Sequence, residues 1–239
     1  MNTAIPTKYT KIYDYWNSNV CRGGNRKFPF HLYKDKEVLE IGCGAGFDAI
    51  QFIKAGADYT GIDLTENAII TAQDLILPHL TVYDNAKLMQ MNAEHLSFSS
   101  NSFDLVYSFG TIHHTLKPYK VVKEIYRVLK PNSEFYVMLY SKPSIRYNLD
   151  IMFLRKILWK LHYPKYNKIR QETPAPNPRE WVSLNTDTLG CPLSRVYTKK
   201  WAKKLFSGFA NVKSYTTNYG WFRVVIGRKS SSSAVGECG

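Results

Sequence analysis

The stretch EIGCGAGFD, residues 40–48, places three glycines at alternate positions between an apolar run and a segment with roughly helical spacing. The residues before them, KEVLEIG (36–42), form a short apolar run that ends at glycine and predict a buried strand. The residues after them, FDAIQFIKAGA (47–57), predict a helix that stops near Gly56. A strand, a glycine turn and a helix in this order present unpaired N–H groups to a polar ligand.

The same alternation continues along the chain. Further strands are predicted at 58–64, 86–92, 102–110 and 133–141, and further helices at 65–77 and 118–130. Strands that alternate with helices predict an α/β fold, here a doubly wound, mostly parallel, seven-stranded Rossmann-like sheet. After the fifth strand we expect a helical or loop insertion, then a helix at 198–209 and two strands that close the sheet as an antiparallel hairpin.

Composition narrows the class of protein. The 239 residues are 44% hydrophobic, as in a globular protein. The four cysteines are scattered without a CxxC pair, so neither a zinc site nor a disulfide framework is predicted. No apolar run reaches the roughly 18 residues of a membrane span, and residues 1–16 lack the apolar core of a secretion signal. We therefore expect an intracellular, cytoplasmic protein.

Asp63 ends the second predicted strand, in YTGIDLTE. A carboxylate at this place can accept both hydroxyls of a ribose, and a dehydrogenase places an acid there as well. The glycine spacing is G-x-G-x-G, whereas dinucleotide sites use G-x-G-x-x-G. These features together predict an adenosine-containing ligand, either a dinucleotide or S-adenosylmethionine (SAM).

Four motifs in order carry a resemblance to a known family. They are VLEIGCGAG (38–46), GIDLTENAI (61–69), MNAEHLSFSSNSFDLVYSFGTIHHT (91–115) and EIYRVLKPNSEFYVML (124–139). Over residues 36–141 the chain resembles class I SAM-dependent methyltransferases, and is similar to the small-molecule type that includes quinone and sterol methyltransferases. The family commonly has KPGG where this chain has KPNS (130–133), and asparagine also occupies left-handed turn positions.

The resemblance implies a role for each matching residue. The methionine half of SAM would be lined by Glu40, Gly42, Gly44 and Gly46. The ribose would be bound by Asp63, with Leu64 beside the adenine, whose amino group would be flanked by Ala93 and Glu94. Asn92, in the same cofactor-binding set, stands where the family often has Asp. The sulfonium and the acceptor would face Ser108, Phe109 and Gly110. Taken singly, Leu64 and Phe109 also fit an ordinary core, and Glu94 fits a surface turn.

Methyl transfer is an in-line displacement that needs positioning and exclusion of water, and a base only where the acceptor loses a proton. His113 and His114 follow the fourth strand at the edge where ligands bind, and imidazole titrates near neutrality. They are the candidate catalytic bases. Alternatively, either ring caps the next helix or shapes the pocket wall.

Two further segments complete the predicted acceptor site. Tyr15, Trp16 and Asn17 lie in an aromatic segment before the first strand, where they would close over SAM or the acceptor, or else anchor a terminal helix. The chain then divides into an N-terminal lid (1–35), a SAM-binding core (36–141), a basic insertion that caps the substrate (142–197), a closing helix and strands (198–229) and a disordered tail (230–239).

The positive charge is concentrated in the last third of the chain. Residues 142–229 hold 18 Lys and Arg against 4 Asp and Glu, a net of +14, whereas the remainder holds 14 against 15. Arg146, Arg195 and Tyr197 would hold an anionic acceptor. Residues 146–166 read as a basic amphipathic helix that would contact a membrane peripherally. Binding of RNA is the least supported use, since no RNA-binding signature is present.

These features predict a SAM-dependent methyltransferase that acts on a small, anionic or lipid-like molecule, releases S-adenosylhomocysteine and needs no metal. The alternatives are an RNA methyltransferase that uses the basic last third and a non-catalytic SAM-binding partner protein. An oxidoreductase is the alternative function that the sequence supports least.

Overall fold

The computed structural model describes residues 28–76, 86–142, 148–149, 153–162, 181, 193–217 and 222–231. Within these ranges the strands are β1 (Glu37–Ile41), β2 (Asp58–Asp63), β3 (Ala86–Gln90), β4 (Phe103–Phe109), β5 (Leu129–Ser141), β6 (Val196–Tyr197), β7 (Ala210–Thr217) and β8 (Phe222–Arg228). The α-helices are α1 (Phe47–Lys54), α2 (Glu66–Ile76), α3 (Pro118–Val128), α4 (Arg155–Lys160) and α5 (Lys199–Leu205).

The strands form one mixed sheet in the order β3-β2-β1-β4-β5-β8-β7. Strands β1 to β5 pair in parallel, whereas β8 is antiparallel to both β5 and β7. The predicted α/β class and the closing hairpin are confirmed. The sheet has one strand more than predicted, because β6, inside the predicted insertion, pairs in parallel with the end of β5.

Both faces of the sheet are covered, because successive strand residues point to opposite sides. On one face Val38 packs with residues of α1 and α2. On the other face Leu39 packs with Ile125 of α3 and Ala202 of α5. This arrangement is the doubly wound architecture that the alternation of strands and helices predicts.

Parallel pairing brings the carboxyl ends of β1, β2 and β4 to one edge of the sheet. Ile41 is paired with Ile62 near the end of β2, and Glu40 with Tyr107 near the end of β4. The glycine turn, Asp63 and the histidine pair all follow these strand ends, so the fold gathers the predicted site residues at this edge.

Strand β5 begins at Leu129, four residues before its predicted start, and α3 correspondingly ends at Val128. The pairing of β4 with β5 shifts in register between Phe103 and Leu105. Asn132 has a φ of 64°, so asparagine does occupy a left-handed position in the KPNS segment. The strand thus continues through an irregularity that reads as a turn in the sequence.

The predicted insertion and the two termini lie mostly outside the described residues. Helix α4 covers six residues of the predicted helix at 146–166. Of the predicted lid only 28–35 is described, with a short 3₁₀ turn at Phe30–Tyr33. In the described ranges, no helix combines the length and the hydropathy that a membrane span requires.

Candidate functional site

The turn after β1 adopts a backbone conformation that side chains disfavour. Gly42, Gly44 and Gly46 have φ values of 76°, 53° and 81°. A Cβ on Gly42 would lie 2.0 Å from Thr111 Oγ1, so the loop after β4 packs directly on the turn. A Cβ on Gly44 would meet no atom of the described residues within 4 Å. The space above Gly44 is therefore open to a ligand that approaches the backbone.

Asp63 ties the glycine turn to the end of β2. Its Oδ2 accepts a hydrogen bond from the Gly44 backbone N–H at 3.1 Å. Its Oδ1 accepts from the backbone N–H and the hydroxyl of Thr65 at 3.0 and 3.1 Å. A carboxylate has about four acceptor positions, so this geometry leaves room for a ligand hydroxyl. The carboxylate is thus fixed at the end of β2, beside the glycine turn.

Glu40 lies beneath the turn and is 3% exposed. Tyr59 donates its hydroxyl proton to Glu40 Oε2 at 2.6 Å. Burial raises the pKa of Glu40 well above its ordinary value, and the charges of Asp48 and Asp63 raise that pKa further. The charges of Asp48 and Asp63 near one turn make this part of the site electronegative, which favours a cationic ligand.

The loop after β3 carries the residues expected beside adenine. Asn92 Oδ1 accepts from the Glu94 backbone N–H at 2.9 Å. Glu94 Oε1 accepts from the backbone N–H of Lys117, directly before α3, at 2.7 Å. The Glu94 carboxylate thus ties this loop to α3, and Ala93 lies half-buried between the two residues. Leu64 is 66% exposed and faces outward beside Asp63.

The three residues at the end of β4 differ in exposure. Ser108 is fully buried and donates its hydroxyl proton to the Ile41 carbonyl at 2.9 Å, which joins the ends of β1 and β4. Phe109 is half-buried and packs on Tyr107 and Phe222. Gly110 has a φ of 89° and ends the strand. Of the three, Ser108 supports the site from beneath.

His113 is fully buried, and its ring centroid lies 3.8 Å from that of Tyr140. Neither ring nitrogen makes a hydrogen bond to the described residues. Burial lowers the pKa of His113 well below its ordinary value, and the neighbouring His114 lowers that pKa further. His113 is therefore a neutral ring in the wall of the site.

His114 is half-buried and has one ring nitrogen fixed. Its Nδ1 lies 2.7 Å from the Leu193 carbonyl oxygen and 3.0 Å from Ser194 Oγ. A carbonyl oxygen only accepts, so Nδ1 carries the proton. In the neutral ring Nε2 then has the lone pair that a base needs.

The segment 193–197 joins the loop after β4 to the sheet. The Arg195 guanidinium donates to the carbonyl oxygens of Thr115 and Leu116. The backbone N–H of Arg195 donates to the carbonyl oxygen of His113 at 3.0 Å. An anionic acceptor would compete with these bonds. Tyr197 is 6% exposed and packs into the core around α3 and α5, because β6 draws it into the sheet. Both placements favour structural roles over direct contact with an acceptor.

An aromatic cluster lies at the same edge of the sheet. Its buried members are Met138, Tyr140, Trp181 and Phe222, and Phe109, Trp159 and Val196 pack against them. Trp159 and Trp181 meet edge to face, with ring centroids 5.4 Å apart. The cluster adjoins the histidine pair through Tyr140. Flat apolar walls beside the end of β4 suit a planar acceptor.

The remaining predicted site residues, Tyr15, Trp16, Asn17 and Arg146, lie outside the described part of the chain. Among the described residues, no group of His, Cys, Asp and Glu side chains is arranged to hold a metal ion. A cavity of about 270 Å³ is lined by Tyr33, Glu134 and Tyr136 among others, at the amino-terminal half of β5. It lies away from the glycine turn, so we assign it no part in the site.

A sequence comparison matches the part of the chain that contains this site to a known family. Residues 39–137 match the family described as "Methyltransferase domain", and this range contains the glycine turn, Asp63 and the histidine pair. Residues 39–137 are a class I methyltransferase domain. The predicted superfamily is confirmed.

The methyltransferase domain has both sequence and structural relatives. "Ubiquinone/menaquinone biosynthesis C-methyltransferase UbiE" of Haemophilus ducreyi is 35% identical over 114 residues, 46% of this chain but only 43% of that protein. "Demethylmenaquinone methyltransferase" of Staphylococcus aureus is 28% identical over 95% of this chain and 92% of its own length. A SAM-dependent methyltransferase structure from Methanosarcina mazei is 25% identical, with a TM-score of 0.59 over 87% of this chain and all of that one.

Several residues that shape the methyltransferase domain were not predicted from the sequence. Thr111 packs on Gly42, Tyr59 holds Glu40, and Leu193 orients His114 through its carbonyl. Thr65, which bonds to Asp63, differs from these three residues because it has a local sequence signal: a threonine two residues after an aspartate commonly bonds back to its carboxylate. The others act across 19 to 79 residues of sequence.

Proposed function

We propose that this protein is a SAM-dependent methyltransferase whose acceptor is a small, planar aromatic molecule of the quinol type. The aromatic cluster beside the end of β4 is the single observation that carries this proposal. The names of two relatives, one in ubiquinone/menaquinone biosynthesis and one acting on demethylmenaquinone, support the same class of acceptor.

The cofactor site fits SAM in charge and in shape. SAM supplies a methyl group activated by a positive sulfonium. The space over Gly44 would admit the cofactor, and the charges of Asp48 and Asp63 favour a cation there. Asp63 would accept from the ribose hydroxyls, while Leu64 and the loop of Asn92, Ala93 and Glu94 would enclose the adenine.

His114 is the proposed base. A quinol-type acceptor gains the methyl group and loses one proton, and the cofactor leaves as neutral S-adenosylhomocysteine. His114 Nε2 takes that proton, because the Leu193 carbonyl holds the other ring proton on Nδ1. His113, fully buried and neutral, supports the His114 ring at a centroid distance of 4.1 Å. Phe109 and Gly110 would place the acceptor in line with the methyl group.

We further propose that the protein works in the cytoplasm and touches membranes peripherally through the segment 146–166. A quinol-type acceptor is poorly soluble in water, so an enzyme that methylates it gains from contact with a lipid surface. The exposed apolar residues of α4 support this contact.

A direct assay tests the proposed function. Purified full-length protein is incubated with methyl-labelled SAM and a short-chain, water-soluble demethylated quinol, and the products are identified by mass spectrometry. We expect a labelled, methylated quinol and S-adenosylhomocysteine in equal amounts. Binding of SAM without turnover of this quinol, or of any small molecule in a cell extract, would instead favour a non-catalytic SAM-binding protein.

A further inference from the structure

Helix α4 carries an apolar surface that the described residues leave exposed. Leu154, Ile157, Leu158 and Leu161 are spaced as i, i+3, i+4 and i+7, which places them on one side of a helix. They are 46%, 40%, 36% and 72% exposed, and Phe153 beside them is 57% exposed. We call these five residues the α4 face. Monomeric proteins rarely leave so many neighbouring large apolar side chains in water.

The charge around the α4 face is positive. Lys156 and Lys160 are exposed on the same helix, and Arg155 is half-buried. The sequence 146–166 has five Lys and Arg residues against a single acid, Asp150. An apolar stripe flanked by lysines is the pattern of helices that lie in the headgroup region of an anionic bilayer.

The opposite side of α4 leads to the proposed acceptor site. Trp159 is half-buried and packs edge to face on the buried Trp181. Both residues belong to the aromatic cluster that contains Tyr140 and Phe222. Helix α4 therefore exposes the α4 face to solvent on one side and packs Trp159 against the aromatic cluster on the other side.

We propose that the α4 face docks on the surface of an anionic lipid bilayer, and that an apolar acceptor passes from the bilayer along α4 into the aromatic cluster. This inference rests on the proposed function for the identity of the acceptor site, but the docking itself requires neither SAM nor acceptor. Charge complementarity selects the bilayer, because the lysines attract anionic headgroups while the α4 face enters the acyl boundary.

Vesicle co-sedimentation of the full-length protein tests docking. Vesicles of phosphatidylglycerol should bind the protein, and vesicles of phosphatidylcholine should bind it much less. The double substitution Ile157→Glu/Leu161→Glu should weaken binding to phosphatidylglycerol at least about tenfold. Ile70→Glu is the matched control, since Ile70 on α2 is a 48% exposed isoleucine distant in sequence from α4, and it should leave binding unchanged. Equal binding by all three proteins would overturn the proposal.

Binding of RNA is the outcome to be separated from docking on lipid. Lys160→Glu weakens either interaction, because both involve negative charge, whereas the neutral substitution Leu161→Gln removes an apolar contact without changing the charge and weakens only the interaction with lipid. Filter binding of total tRNA is therefore measured on both variants. A wild-type protein that binds tRNA but not phosphatidylglycerol vesicles, with tRNA binding unaffected by Leu161→Gln, would contradict the proposal.

A comparison of two acceptors tests the passage along α4. One quinol carries a short, water-soluble chain, and the other carries a long chain and is embedded in the vesicles. Ile157→Glu/Leu161→Glu should lower turnover of the embedded quinol at least about tenfold and leave turnover of the soluble quinol unchanged. An equal loss with both acceptors would contradict the passage. Vesicle binding by a wild-type protein that methylates neither quinol would contradict the proposed function and still support docking.

Discussion

His114 Nδ1 lies 2.7 Å from the Leu193 carbonyl oxygen, and this bond determines which ring nitrogen carries the proton. In a neutral ring the lone pair is then on Nε2, the nitrogen that we propose as the base. We predict that His114→Ala lowers the single-turnover rate about 100-fold, the usual worth of a positioned base. The dissociation constant of SAM should not change, and added imidazole should restore part of the rate. An unchanged rate would remove His114 as the base.

Because His113 is buried, the free energy of unfolding depends on pH in the acidic range. Its pKa lies well below the ordinary value of 6.5 in the folded protein, so the unfolded chain takes up the proton first. The contribution of His113 to the free energy of unfolding is therefore present in full above pH 6.5. Below pH 6.5 it decreases, by at most about 1.4 kcal/mol per pH unit. We predict that His113→Phe removes this fall between pH 6.5 and 5, as measured by urea unfolding.

The matched control for His113 is His31→Asn, a substitution at an exposed histidine. This variant should keep the pH dependence of the wild type. A wild type and a His113→Phe protein with parallel pH profiles would contradict the assignment of His113 as a buried neutral ring.

The glycine turn offers a graded test. Gly42→Ala combines a left-handed φ with a clash against Thr111, so it should destabilise the protein by at least about 2 kcal/mol and abolish SAM binding. Gly44→Ala meets no neighbour, so it should cost only about 1 kcal/mol but still weaken SAM binding. Gly208→Ala has open space and no left-handed φ, and should affect neither.

Chemical denaturation and calorimetry on the three glycine variants supply the two measurements. If Gly44→Ala bound SAM as tightly as Gly208→Ala, no ligand would approach the backbone at Gly44. The proposed position of the cofactor would then be wrong.

Glu40 gives the opposite pH dependence to His113. Its pKa is raised well above the ordinary 4.5, so the folded protein keeps a proton that the unfolded chain releases. Stability therefore falls as the pH rises from 4.5 toward the raised pKa, by at most about 1.4 kcal/mol per unit. We predict that Glu40→Gln gains stability relative to the wild type between pH 5 and 8 and binds SAM more weakly. A constant difference in unfolding free energy would contradict the raised pKa.

The sequence predicted well where the structure depends on neighbouring residues. The β1–turn–α1 unit follows from an apolar run, glycines and helical spacing within 36–57, and its observed bounds differ from the predicted ones by at most three residues. The helix predicted at 198–209 is observed as α5, and Thr198, directly before it, accepts from the backbone N–H of Trp201. Such signals involve residues within a few positions of one another.

The sequence does not indicate the contacts that join distant residues. Arg195 reads as an anion-binding residue in a basic segment, but it donates to carbonyl oxygens 79 and 80 residues away. Tyr197 reads as a pocket residue, but a two-residue strand draws it into the core. The two histidines look equivalent in the sequence, and only packing against Tyr140 and the carbonyl of Leu193 separates a neutral buried ring from an oriented base.

Isothermal titration calorimetry of the full-length protein tests the central claim, that the glycine turn and Asp63 bind SAM. We predict heat on addition of SAM and of S-adenosylhomocysteine, and affinity for both at least about tenfold weaker in Asp63→Asn, because the amide lacks the charge that strengthens hydrogen bonds to ribose. No heat with either compound, together with binding of a nicotinamide dinucleotide, would contradict the account.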